Sequence, residues 1–177
     1  MMNCMKAQST CESCLPVCLM ELLRMRGVRV KDSEETKILM EGLTFTKLDY
    51  TIGQLIYVAK KYGVGIEQYT DFPSFNDELL RLDIPKSIKL LPAKNSKRLV
   101  MRLAAKAPIA VYMDKYDLDG IYHYSHFILL LKMDKQTSTF FDPWDGKIKK
   151  MMANALMSSV RSLRNRLGIS PKLIRMI

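Results

Sequence analysis

Apolar positions near the start of this chain recur at helical spacing, and later ones gather into alternating or continuous runs. Leu15, Cys18, Leu19, Leu22 and Met25 make one helical face. Ser13 is placed as an N-cap, Pro16 is tolerated in a first turn, and Gly27 stops the helix. A second helix is expected from Asp32-Ser-Glu-Glu35, which has the form of a capping box, to about Met40, ended by Gly42. Thr51 caps a third, which buries Ile52, Leu55, Ile56 and Ala59 and stops at Gly63. Tyr57 and Tyr62 read as packing residues with wet hydroxyls. Val64 to Tyr69 alternates like a strand.

After the loop signal at Asp71, Ser74 or Asn76 opens a short helix to about Leu82. Ser87 to Leu91 reads as a strand ended by Pro92. Asn95 to Lys106 is amphipathic, with Leu99, Val100 and Leu103 inside, and Pro108 to Met113 is a strand into the core. Asp114 to Gly120 reads as a polar loop in which Asp117 and Asp119 solvate a hairpin end. Tyr122 to Met133 and Gln136 to Asp142 are two β-rich runs around a short polar turn, the pattern of a hairpin. Trp144-Asp-Gly146 closes the sheet with a turn. Met151 to Leu167 is an amphipathic helix stopped by Gly168. Ile169 to Ile177 is a tail whose apolar residues suggest docking on a second copy, and hence a homo-oligomer. The expected class is α+β: a helical front half packed on an antiparallel sheet, with a C-terminal amphipathic helix.

A chain of 177 residues can bury a sizeable core as one domain. No apolar run approaches the ~18 residues of a membrane span. Glu21 and Arg24 interrupt the apolar run from Leu15 to Met20 too early for a secretory signal, so a cytoplasmic location is the expectation. Thirteen methionines are spread along the chain as core filler. The net charge of +10 is uneven. From Trp144 to Ile177 eight Lys and Arg face one acid, Asp145, which accounts for +7 of it. Such a segment suits an acidic partner or nucleic acid, or is simply a solvated helix face.

Candidate chemistry starts at Cys14, at the mouth of the first helix, where unpaired N–H groups and the helix dipole favour a thiolate. Gln8, six residues upstream, carries an amide able to donate to a developing oxyanion. On the hairpin, His126 lies on the first strand and Asp142 ends the second, so adjacent strands can set them side by side. Cysteine, histidine and an orienting carboxylate are the parts of a thiol acyl-transfer site. His123 and His126 are an odd number apart, so on one regular strand only one can reach the thiol, and His123 reads as a rim residue. All four cysteines, Cys4, Cys11, Cys14 and Cys18, fall in the first 18 residues, a spacing also open to a metal cluster or a Cys11–Cys14 redox pair. Structural zinc usually uses two paired knuckles, and Cys14–Cys18 is more simply a helix repeat, so neither metal nor cofactor is expected.

Gln8-x5-Cys14-x-Pro16-x-Cys18-Leu19-Met20, then His126-Phe127, then Asp142-Pro143, resembles the bacteriocin-processing (double-glycine) peptidase-like family, within the papain-like cysteine peptidases. The resemblance covers about residues 8 to 146. It implies a papain-like domain over 1–146, with a helical lobe at about 8–70 and a sheet lobe at about 84–146. Residues 147–177 then form a basic helix and tail packed on the same domain. It implies Cys14 as nucleophile, His126 as general base and acid, Asp142 as orienter, Gln8 in the oxyanion hole, and a peptide or protein substrate. Leu15 departs from the family, which usually has glycine after the nucleophile. Leucine there narrows the cleft, alters the substrate, or marks a peptide-binding member without turnover. The rival reading is a basic nucleic-acid-binding protein with an N-terminal cysteine metal site.

Overall fold

The computed structural model describes residues 5–45, 50–71, 81 and 84–177. Cys4 and the helix expected from Ser74 or Asn76 to Leu82 lie outside the described residues. The first helical repeat becomes α1 (Cys14–Met25), with Leu15, Leu19 and Leu23 in the core. Helices α2 (Glu34–Leu43) and α3 (Tyr50–Tyr62) follow. Neither the Ser13 cap nor the capping box forms as expected. Ser13 has φ −91° and ψ 10° rather than the extended backbone a cap needs, and its hydroxyl pairs with Thr10 Oγ1 at 2.6 Å. Ser33, before α2, is helical and makes no cap bond.

The acids of the expected capping box bind elsewhere. Glu35 Oε1 accepts from Ser9 N–H and Oγ at 2.6 and 2.8 Å. Glu34 accepts from Tyr57, Tyr62 and Lys61, at 3.1, 3.0 and 2.5 Å, so those tyrosine hydroxyls are bound rather than wet. Gly42 does not end α2. A Cβ there would lie 2.6 Å from Gln54 Cγ and 2.7 Å from Tyr50 O, so glycine lets α3 press against α2. Thr51 is buried inside α3 instead of capping it.

The strands are β1 (Ile66–Thr70), β2 (Ile88–Pro92), β3 (Ile109–Asp114), β4 (Ser125–Met133), β5 (Thr137–Asp142), β6 (Lys147–Met152) and β7 (Lys172–Met176). Between them lie α4 (Lys97–Ala104), α5 (Tyr116–Asp119) and α6 (Ala153–Leu167). The sheet order is β2-β1-β7-β3-β4-β5-β6. β1 and β2 are parallel and the other pairs antiparallel, so the sheet is mixed rather than wholly antiparallel.

Three expectations change here. The polar loop after β3 contains a helical turn, α5, closed by Gly120 at φ 67°. The segment after Gly146 is strand β6, paired from Thr137↔Met152 to Asp142↔Lys147, before the helix begins. Its lysines and exposed Ile148 hid it, because an edge strand buries few side chains. Most important, the tail is part of the sheet itself. It is a central strand, with Ile174 opposite Gln68 on one side and Ala110 on the other.

Alternate residues of the central strands feed two cores. Ala110, Tyr112, Phe127, Leu129, Phe141 and Ile174 face α1–α3, whereas Ile109, Val111, Ile128, Leu130, Phe140 and Leu173 face α4 and α6. The fold is α+β, with helices on both faces of a seven-stranded sheet. Of the eight cations after Trp144, Lys172 is buried over the Tyr112 ring and donates to Thr51, and Arg175 binds Glu67 at 2.7 Å. Arg161, Arg164 and Arg166 remain on the exposed side of α6. Among the described residues no helix is long and apolar enough to cross a membrane.

Leu173 is fully buried in β7. Leu173→Ala is expected to lower unfolding free energy by about 2–5 kcal/mol in urea titrations. Stopping the chain after Gly168 should abolish cooperative unfolding.

Candidate active site

The β4–β5 ladder opens at one end because of proline. Its first pair is Leu129↔Phe141, and Pro143 beyond it has no N–H to continue the pairing. The N-terminal segment enters this opening. Gln8 N–H donates to Pro143 O at 2.7 Å. The Phe127 backbone N–H lies near enough to Cys14, the first residue of α1, to pull its thiol pKa down. Gln8 and Cys14 are thus brought to the hairpin end that carries His126 and Asp142.

Register explains the histidine–carboxylate pair. His126 follows Ile128 and Leu130 on one face of β4, and Asp142 follows Phe140 on the same face of β5. His126 Nε2 lies 2.7 Å from Asp142 Oδ1, with both side chains sealed from solvent. Asp142 Oδ1 also accepts from Trp144 N–H at 3.0 Å, and Oδ2 from Lys149 at 2.6 Å. Burial pushes this carboxyl's pKa up, but His126, Lys149 and the Trp144 N–H outweigh it and hold the group well below the usual carboxylate range. An ionised carboxylate only accepts, so Nε2 carries a proton and Nδ1 is the nitrogen left for other work.

The thiol differs from expectation. Cys14 is only 6% exposed, and burial pushes its pKa up to about 11. N–H groups of Phe127, Leu15 and Cys14 itself pull the other way, as a helix start should, but more weakly; the Glu12 charge adds to the rise. In this state desolvation beats the helix terminus. Among the described residues no hydrogen bond joins Sγ to the His126 ring. The sulfur meets β4 at its backbone, while strand alternation sends the imidazole to the Ile128 side and Phe127 to α1. The Gln8 amide donates to Thr10 O at 2.7 Å and Cys11 O at 3.3 Å, so its oxyanion-hole donors are occupied. Leu15 is 1% exposed, with its side chain in the core.

Several neighbours were not singled out from the sequence. Lys115 Nζ sits 3.8 Å from the Trp144 ring centre, 5.0 Å from that of Tyr124, and 2.9 Å from Asp119. Trp144 meets the His126 ring edge-on, with 6.5 Å between centres. Asp119 therefore holds a lysine instead of solvating a turn, and Asp117 accepts from Ser159 at 2.6 Å. His123 forms a second pair, Nδ1 to Asp114 Oδ2 at 2.6 Å, stacked on Tyr116. His123 lies before β4 begins, so strand alternation does not govern it, and the fold supplies each histidine with its own aspartate. Lys149 carried only a weak signal, its i,i+4 relation to Asp145.

Cys11 is exposed, whereas Cys14 and Cys18 are buried free thiols. Among the described residues no group of three or more His, Cys, Asp or Glu could hold a metal ion. No protein-family model matches the chain, and no curated protein does.

Iodoacetamide at neutral pH should alkylate Cys11 and spare Cys14 and Cys18, as peptide mapping by mass spectrometry would read. Between the ordinary thiol value of 9.0 and about 11, the unfolded chain has lost the Cys14 proton and the folded chain keeps it, so rising pH favours unfolding. Cys14→Ser should flatten that fall in the urea midpoint. At the acid end, Asp142 contributes stability present above the unfolded carboxyl value and lost as pH falls through its depressed folded value. Asp142→Asn should remove that component.

Proposed function

We propose that this chain is a cysteine peptidase of the papain-like kind, whose resting site is closed. The observation that carries the reading is the sealed His126–Asp142 pair at 2.7 Å, set at the same hairpin end as a cysteine that opens a helix. In the reaction, once the site opens and brings Sγ within reach of the ring, Cys14 Sγ attacks the peptide carbonyl carbon as its proton passes to His126 Nδ1. Asp142 stabilises the imidazolium and fixes the ring. The Cys14 N–H, with the Gln8 amide once it turns from Thr10 and Cys11, holds the oxyanion. The C–N bond breaks as the imidazolium gives its proton to the leaving amine. Water then attacks the thioester, His126 takes its proton, and the acid leaves as the thiol re-forms. In the closed state burial pushes the thiol up to about 11 and keeps it protonated, so activation by His126 has to follow opening of the site. Substrate must also uncover Cys14, because so little of it is exposed.

A second reading keeps the cleft and loses turnover: a peptide-binding protein of the same fold. Buried Cys14, the occupied Gln8 amide and Leu15 favour it. Incubation with a proteome-derived peptide library, read by mass spectrometry, separates the two. Wild type should yield new termini, with rates lowered at least about 10³-fold by Cys14→Ala and by His126→Ala. Cleavage unchanged in Cys14→Ala, or none by wild type, overturns the peptidase. Peptides retained equally by wild type and Cys14→Ser, without cleavage, support the second reading.

A further inference from the structure

On the opposite side of the sheet from α1, the start of α4 and the exposed side of α6 enclose a cavity of about 350 Å³. Its wall carries Lys94, Arg161 and Arg164, with Arg161 and Arg164 three apart and therefore on one helix face. Arg164 Nη1 lies 3.5 Å from Asp71 Oδ2, whereas Lys94 and Arg161 have no carboxylate partner among the described residues. The α4 start adds backbone N–H groups and the positive end of a helix dipole. This side of the cavity is built for an anion.

A different demand comes from two acceptors. Asn95, 7% exposed, gives Nδ2 to Pro171 O at 2.9 Å, which leaves Oδ1 with no hydrogen-bond partner. Asp71 Oδ1 is unpartnered in the same way. Leaving such oxygens unpaired costs roughly 1–3 kcal/mol each, so a donor that reaches them is favoured. Both are sealed in this state, so a donor gains them only by turning the side chain, at the expense of the Asn95–Pro171 bond or the Asp71–Arg164 pair. Cations interspersed with unpaired acceptors in one lining call for a ligand with an anionic head and O–H or N–H donors on its body.

We infer that this cavity binds a small phosphate monoester with a hydroxyl-bearing body, by contacts from Lys94, Arg161 and the α4 start to the phosphate and from Asn95 and Asp71 to the hydroxyls. The inference does not rest on the chemistry proposed for Cys14. Isothermal titration of the full chain at physiological salt uses ribose 5-phosphate as probe, with ribose and inorganic phosphate as its halves. Saturable one-site binding of ribose 5-phosphate is expected, at least about tenfold tighter than either half. Lys94→Ala and Arg161→Ala should each weaken it at least about fivefold with the thermal midpoint unchanged, and Asn95→Ala should narrow the gap to inorganic phosphate. Arg166→Ala, on the same helix but outside the cavity wall, should leave affinity unchanged. No saturable binding, an equal loss in Arg166→Ala, or binding of inorganic phosphate as tight as that of the sugar phosphate overturns it. Tight, steeply salt-dependent binding of a single-stranded oligonucleotide that survives Arg161→Ala would also overturn it, in favour of a nucleic-acid surface.

Discussion

The last strand in the sequence is the one that joins the sheet. β1 and β2 pair with each other, and β3 to β6 form a run of neighbours, but the two groups connect only through β7. Its ladder to β1 runs from Ile66↔Met176 to Thr70↔Lys172, and it meets β3 at Ala110 and Val111. Without it, β1 and β3 would present facing rows of unpaired N–H and C=O groups inside the molecule, which folded proteins do not tolerate. The two cores depend on the same strand, since Ile174 enters one and Leu173 the other.

Around the candidate site, desolvation and pairing act in opposite senses on neighbouring groups. Asp142 loses water but gains His126, Lys149 and the Trp144 N–H, and remains an anion. Cys14 loses water and gains only backbone N–H groups, and remains a neutral thiol. The same burial that disables a standing thiolate keeps the histidine–carboxylate pair dry and strong. In this structure the histidine–carboxylate pair is assembled and the thiol is covered.

Cations that looked like one basic tail divide by role once folded. Lys149 anchors Asp142, Arg175 anchors Glu67, and Lys172 is buried over Tyr112. The arginines of α6 stay at the surface, and two of them line a cavity with Lys94 and the start of α4. A linear charge count therefore overstated the surface on offer to a polyanion.

Local physics was legible before any fold was known. Helical spacing of Leu15, Leu19 and Leu22 predicted α1, and β-rich runs around a polar turn predicted the hairpin that carries His126 and Asp142. Their pairing followed from two adjacent strands and a face parity that a sequence displays directly. Tertiary structure decided what depends on distant partners. The final segment became a central strand because β1 and β3 left a gap of its width, and nothing within those residues signals that gap. Lys149 reached Asp142 only because β6 folded back. Cys14 sits where a helix start lowers a thiol's pKa, but the water removed by packing α1 against β4 raised it further, and how much water a side chain loses is a property of the whole fold.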